Sequence, residues 1–245
     1  MNLFSKGRIV LQGAVLLSFL LICPLDTSTA DTSNAKESRY TIYSKGLRVG
    51  NLKTVYSLLP GNNKKVLKFE SVTRIDADFI VYSYALDSKE EAFVGDEGTF
   101  RYNRTTREND TSCEVDGRLE NGRFHFDIRE NGVRRSLTIN KDQYDYTTME
   151  CPEISMKKEG DEMSLRLLDL EHLAVVTRKY RWVKSEDVKV DGKSIRCRVI
   201  DFEDPNKKGR RWIRKDDVGV TIARQDGKGK GGSYSLKIAT LTTRP

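Results

Sequence analysis

Apolar and polar residues alternate along most of this chain. Residues 124–128 read Phe, His, Phe, Asp, Ile. On a strand, the two rings and the isoleucine then share one face, and His125 and Asp127 share the other. The same period of two recurs at 39–44, 52–59, 66–75, 99–105, 136–139, 163–170, 175–183, 195–200, 211–214, 218–223 and 233–241, and 79–86 is a β-branched and aromatic run. Punctuation between the runs is strong. Asn121-Gly122 and Asn131-Gly132 each separate two alternating runs, the best short-range signal for a two-residue hairpin. Pro60-Gly61-Asn62-Asn63, Gly95-Asp96-Glu97-Gly98, Asp191-Gly192 and Asp204-Pro205-Asn206 mark further turns. Gly46 and Gly50 bracket another, Asp76-Ala77-Asp78 reads as a break, and the Gly/Lys stretch 226–232 reads as a flexible hairpin tip. Many short runs with turn residues between them predict an all-β protein. Helical periodicity is weak. It allows a short helix within 141–148 and a single turn near 168–173.

Residues 144–153 lack clean alternation and read as a joint. The expected organisation is a polar, disordered linker at 31–37 and a single β domain at 38–245. Two meanders, 38–140 and 160–245, are joined in it by 141–159. One face of each strand is polar and the other apolar, and neither meander is apolar enough to stand alone. Such a sheet buries one face by closing on itself or packing on a second sheet. Local succession of the strands favours an antiparallel up-and-down meander forming a curved or closed sheet, a barrel or half-barrel.

The first thirty residues change the picture. Lys6 and Arg8 precede an apolar stretch at 9–25, and Ser28-Thr29-Ala30 supplies small residues for a cut after Ala30. This is the pattern of a secretory signal peptide, and the apolar stretch is short for a span of about 20 residues. The mature chain is therefore expected to be periplasmic or secreted, and not an integral membrane protein. The formal net charge is +7. In an exported protein that balance points to anionic envelope components rather than nucleic acid. Lys207, Lys208, Arg210 and Arg211 are the candidate basic surface. Cys113, Cys151 and Cys197 remain after the cut. Three pairings are open. Cys197 shares a face with Ile195 and Val199 and reads as a small buried apolar residue, so Cys113–Cys151 is the favoured disulfide.

Catalytic chemistry is sparse. The two histidines, His125 and His172, are isolated, and no zinc spacing, Gly-x-Ser-x-Gly elbow or phosphate loop occurs. Asp142, Asp145, Glu150 and Glu153 cluster at the joint, where paired carboxylates are one route to glycoside chemistry; capping turns and meeting arginines is the plainer role for them. A nucleophilic Cys151 needs a histidine base. Asn103-Arg104-Thr105 and Asn109-Asp110-Thr111 match the glycosylation acceptor pattern. Trp182, Trp212, Tyr180, Tyr82 and Tyr84 are candidates to line an interior cavity, since barrels of this size sometimes hold one apolar ligand. No catalytic residue, cofactor or metal is assigned.

Three stretches carry a family resemblance. They are Tyr40-Thr41-Ile42-Tyr43 with Gly46-Leu47-Arg48-Val49-Gly50, Tyr144-Asp145-Tyr146 running into Cys151-Pro152-Glu153, and Trp212-Ile213-Arg214-Lys215-Asp216-Asp217-Val218 with Gly232-Ser233-Tyr234-Ser235-Leu236. In these the chain resembles exported bacterial β-proteins catalogued as domains of unknown function. The resemblance implies a curved antiparallel sheet in the periplasm, similar in outline to lipoprotein-carrier half-barrels, and no catalytic residues. Three functions compete. The first is a non-catalytic envelope protein binding an apolar or amphipathic ligand, such as a lipid, or a partner on its curved sheet. The second is an interaction protein with a filled core, acting through an exposed edge or the basic loops 207–214 and 227–232. The third is a hydrolase of envelope polymers using the carboxylates near 142–153.

Overall fold

Alternation along the chain becomes one sheet of fifteen strands. The computed structural model describes residues 34–60, 65–79, 82–229 and 232–244; the expected signal segment and the expected turn at 61–63 lie outside them. The first eight strands are β1 (Ala35–Ser44), β2 (Leu47–Leu59), β3 (Val66–Phe79), β4 (Tyr82–Gly95), β5 (Gly98–Glu108), β6 (Thr111–Glu120), β7 (Arg123–Glu130) and β8 (Val133–Asn140). A crossing at 141–159 contains β9 (Tyr146–Thr147), and after it come β10 (Glu162–Asp169), β11 (Ala174–Val190), β12 (Lys193–Glu203), β13 (Lys207–Asp216), β14 (Gly219–Gly229) and β15 (Gly232–Arg244). The spatial order runs β8 to β1 and then β15 to β9. Thus β1 is central, paired antiparallel with β2 on one side and β15 on the other. All neighbours are antiparallel except β9, which lies parallel to β10. Among the described residues, β8 and β9 each have a single neighbour, so the meander does not close by pairing its ends.

Register assigns the faces. Phe124, Phe126 and Ile128 of β7 are buried and oppose Ile139, Leu137 and Arg135 of β8; we call this face inner. Its first cluster joins them to Tyr102, Val115 and Tyr144, and to Leu168, Leu170 and Leu173 from the β10–β11 region. The β10 end of the sheet therefore packs against the inner face of β5–β8 without strand pairing to it, held by side-chain contacts such as Arg104 donating to the Leu170 and Glu171 carbonyls. Phe124 and Phe126 stack at 4.6 Å between centroids over Gly117, where a Cβ would come within 2.8 Å of both rings. A second cluster holds Leu167, Val176, Tyr180, Trp182, Ile200, Phe202, Ile213 and Met156. A third, with Val190, Ile195, Cys197, Val199, Trp212 and Ala223, lies on the other face of β12 from Ile200 and Phe202. β12 is buried on both sides, which is why Val199-Ile200 breaks the alternation.

Four expectations are corrected. Residues 35–37, expected in a linker, belong to β1, because the Lys36 side chain is 1 % exposed and bound to Asp216. Asp76-Ala77-Asp78 is no break but part of β3, paired with Ser83, Tyr84 and Ala85. The turn near Gly46 is formed by Lys45-Gly46 alone, and Gly50 lies inside β2, where an added Cβ would clash with the Arg74 carbonyl at 2.1 Å. Pairing of β14 with β15 extends to Gly229 and Gly232, so the Gly/Lys stretch is mostly strand.

Candidate functional site

The crossing 141–159 holds the densest polar chemistry, and it lies on the inner face. It contains two 3-10 turns, Lys141–Gln143 and Pro152–Ser155, the second begun by Pro152 where its missing N–H costs nothing. Glu150 anchors the first part. Its Oε1 accepts from the N–H and hydroxyl of Thr99 at 3.2 and 3.1 Å, and from those of Thr147 at 3.1 and 3.1 Å. Gly98, at φ +99°, permits that approach: a Cβ there would sit 3.2 Å from both carboxylate oxygens. The two threonine hydroxyls are 2.7 Å apart and buried, tying β9 to β5.

Glu153 anchors the second part. It is 0 % exposed and forms an ion pair with Arg211 of β13, whose guanidinium lies 5.4 Å from the ring centroids of Tyr180 and Phe202. Arg198 donates to the carbonyls of Ile154 and Met156 at 2.8 and 3.0 Å and covers Trp182 at 4.3 Å. Cys151 is half-buried; desolvation, with Glu153 beside it, pushes its thiol up to about 12. Near it in β1, Lys36 donates to both Asp216 oxygens at 2.8 and 3.0 Å, and Thr221 donates to the same carboxylate. Burial pulls the Lys36 ammonium down despite Asp216.

These contacts place the candidate residues. Asp142 is exposed, Asp145 pairs with Arg166 at 2.7 Å, Glu150 is held by threonines and Glu153 by Arg211. Asp145, Glu150 and Glu153 each have their own partner, and the hydrolase arrangement is not assembled. Cys113, Cys151 and Cys197 are free thiols, so the expected Cys113–Cys151 bond is not formed: Cys113 packs with the first cluster, while Cys151 sits among the charges. The basic surface divides by strand alternation. Lys208 and Arg210 point outward, Arg210 onto Asp201 at 2.6 and 2.9 Å. Arg211 is buried, and Lys207 binds Glu171 at 2.9 Å. The aromatic candidates do not line one space. Tyr180 and Trp182 share the second cluster and Trp212 belongs to the third. Tyr84 is half-buried on β4, and the side chain of Tyr82 lies outside the described ones. Asn109 forms the β5–β6 turn at φ 49°, its side chain accepting from the Ala85 N–H at 2.9 Å.

His125 is outward, 3.1 Å from the Thr138 hydroxyl. His172 meets the Asp169 carboxylate at 3.1 Å. Asp169, Glu171 and His172 bring ligand atoms within 4.8 Å of one another, the tightest such trio among the described residues. Burial pushes Asp169 up, but Lys207, His172 and the Glu171 N–H outweigh it and leave the carboxyl below its ordinary value. Lys207 already supplies the positive charge of this corner.

Two open furrows lie on the described surface. One, of about 1010 Å³, crosses β10–β14 above the row Met163, Tyr180, Phe202, Gly209 and Gly227. The other, of about 700 Å³, crosses β5–β8 above Arg104, Val115, Ile128 and Arg135. In each, the floor residues aim inward and the walls are rows of outward charges such as Lys179, Glu203 and Lys208, or Glu114, Arg129 and Arg134. They are troughs between side-chain rows, not entries to an interior.

No protein-family model and no curated protein sequence matches the chain. A crystal structure does: a β-barrel-like protein of the domain of unknown function DUF1849 from Brucella abortus. The identity is 15 %, the TM-score 0.57, and the match covers 87 % of this chain and 98 % of that one. The chain is thus similar in fold to a β-barrel-like protein whose function is unknown.

Proposed function

We propose that the chain is an exported envelope protein that binds a protein partner and carries out no chemistry of its own. The occupied inner face supports this reading. Segment 141–159 lies there, fastened by Glu150 to Thr99 and Thr147 and by Glu153 to Arg211. Contacts with other molecules then fall to the outer face and the free sheet edge. Export rests on the basic start, apolar middle and small-residue exit of residues 1–30. Mass spectrometry of protein recovered from the host's envelope fraction tests it: the mature chain should begin at Asp31, and an intact N-terminus retained in the cytoplasm sinks export.

An amphipathic ligand held beneath the crossing is the second reading. One observation favours it. Both Glu153 carboxylate oxygens, and Nε and Nη2 of Arg211, are buried without a well-aligned hydrogen bond, and such atoms suit a polar head group. Native mass spectrometry of protein from its own host separates the two readings. Ligand-free protein supports the first, and one lipid per chain supports the second and removes the first.

A further inference from the structure

The two ends of the sheet are treated differently. At the β9 end, the strand has two residues, tucks under β5 through the Thr99–Thr147 hydrogen bond, and is backed by the first apolar cluster. Asp145 caps the neighbouring β10 edge, accepting from the Arg166 N–H at 2.9 Å. At the other end, β8 runs eight residues with no proline, no bulge against β7 and no second neighbour among the described residues. Residues 133–136, 138 and 140 are exposed, Val133 by 70 %. A long unguarded edge is a template for another strand.

Its hydrogen-bonding pattern follows from the hairpin. Asn131 and Gly132, at φ 47° and 85°, close the turn on Glu130 and Val133. Antiparallel alternation then directs Val133, Arg135, Leu137 and Ile139 toward β7, and turns the N–H and C=O groups of Arg134, Ser136 and Thr138 outward. Charge selects the occupant. Arg134 and Arg135 have no carboxylate partner among the described residues, and segment 123–140 carries four arginines against two carboxylates. Pairing β8 with β8 of a second copy would concentrate that positive charge at one seam, whereas an acidic strand would neutralise it.

We propose that the outer edge of β8 is a docking site for an extended acidic segment of a partner protein, added antiparallel as a further strand. Acidic residues would stand opposite Arg134 and Arg135, and an apolar one would cover half-buried Leu137. This deepens the interaction reading above and rests on it.

The test measures fluorescence anisotropy of a labelled β-branched peptide carrying two adjacent glutamates, against the full mature protein. Binding should weaken as salt rises. Ser136→Pro removes an outward N–H without breaking a bond to β7, and should abolish binding with the circular dichroism spectrum unchanged. Arg134→Glu with Arg135→Glu should weaken the glutamate peptide by about tenfold or more and create binding of its lysine counterpart; this arm does not depend on the proline variant folding. Glutamate-peptide binding that survives both changes overturns β8 as the site and leaves the interaction reading standing. Failure to bind, together with a dimer that Ser136→Pro dissociates, assigns the edge to a second copy. Failure together with one lipid per chain removes both proposals.

Discussion

At the scale of single residues, charge is buried where a polar coat was expected, and its removal is measurable. Glu153→Gln leaves the Arg211 guanidinium buried without a counter-charge, which should cost about 3–5 kcal/mol in urea unfolding. Replacing both residues by Met should recover most of that loss, since the pair's attraction mainly offsets its own desolvation. A double-variant loss as large as the two single losses added together would show that the pair is not coupled. Alkali gives a second expectation. Burial pushes Cys151, Tyr144 and Tyr180 up to about 12 and Cys197 up to about 11. A group whose folded pKa lies above its unfolded value favours the native state fully below the unfolded pKa, and that contribution fades as pH climbs through the folded one. The urea midpoint should therefore fall from about pH 9 upward. Lys36, pulled down, acts in the opposite sense, one group against these four and the likewise raised Tyr40, Tyr56, Tyr102 and Tyr234. A midpoint that rises between pH 9 and 11 would contradict these burials. Little of this was legible in the sequence. Arg211 shares parity with Ile213, a readable hint that it faces the apolar side. Glu153 lies in an irregular stretch, where no period assigns a face.

At the scale of elements, hairpins were the most legible feature, because the turn chemistry is local. Asn121-Gly122, Asn131-Gly132 and Asp191-Gly192 all sit at positive φ in tight turns, as their types demand. Asn109 and Asn131 repeat one device. Each donates its N–H to, and accepts on its side chain from, the backbone of the next strand but one, at Ala85 and Ser112 respectively. Only the second was visible as a turn, since Asn109-Asp110 lacks the glycine. Asp76-Ala77-Asp78 misled for a physical reason: aspartates favour turns in isolation, yet these three continue β3 past its last pair with β2 and pair with Ala85, Tyr84 and Ser83 of β4, and that pairing overrides local preference. Glycines with the same chemistry differ in consequence. Gly132→Ala meets open space but keeps φ at 85°, so it should cost about 1 kcal/mol. Gly117→Ala drives a methyl into the Phe124–Phe126 stack and should cost about 1–3 kcal/mol. Thermal unfolding of the two variants checks the order, and a Gly117 variant no worse than the Gly132 one would mean that the rings give way.

At the scale of the whole sheet, the two meanders visible in the sequence share one sheet and one compact unit. The inner face of β5–β8 is covered by Leu168, Leu170 and Leu173, which come from the later meander. Central β1 takes β15 as its neighbour, with Ala35 opposite Arg244, so the first and last described strands must meet before the sheet is continuous. Such distant pairing costs loop-closure entropy before any contact repays it, and folding should be slow for a chain of this size. It also makes the halves mutually dependent. The chain can be cut after Glu159, in an exposed turn where the flanking backbone is held by Asp161 and Trp182. Expressed alone, 31–159 should expose Phe124, Phe126 and Ile128 and aggregate, while 160–245 should leave the β1-facing edge of β15 unpaired. Co-expressed, the two should form a soluble one-to-one complex with a single cooperative unfolding transition, because every pairing except the crossing peptide is retained. Cooperative unfolding of 160–245 by itself would show that the second meander covers its own apolar face. The crossing would then be a linker between domains rather than part of one core.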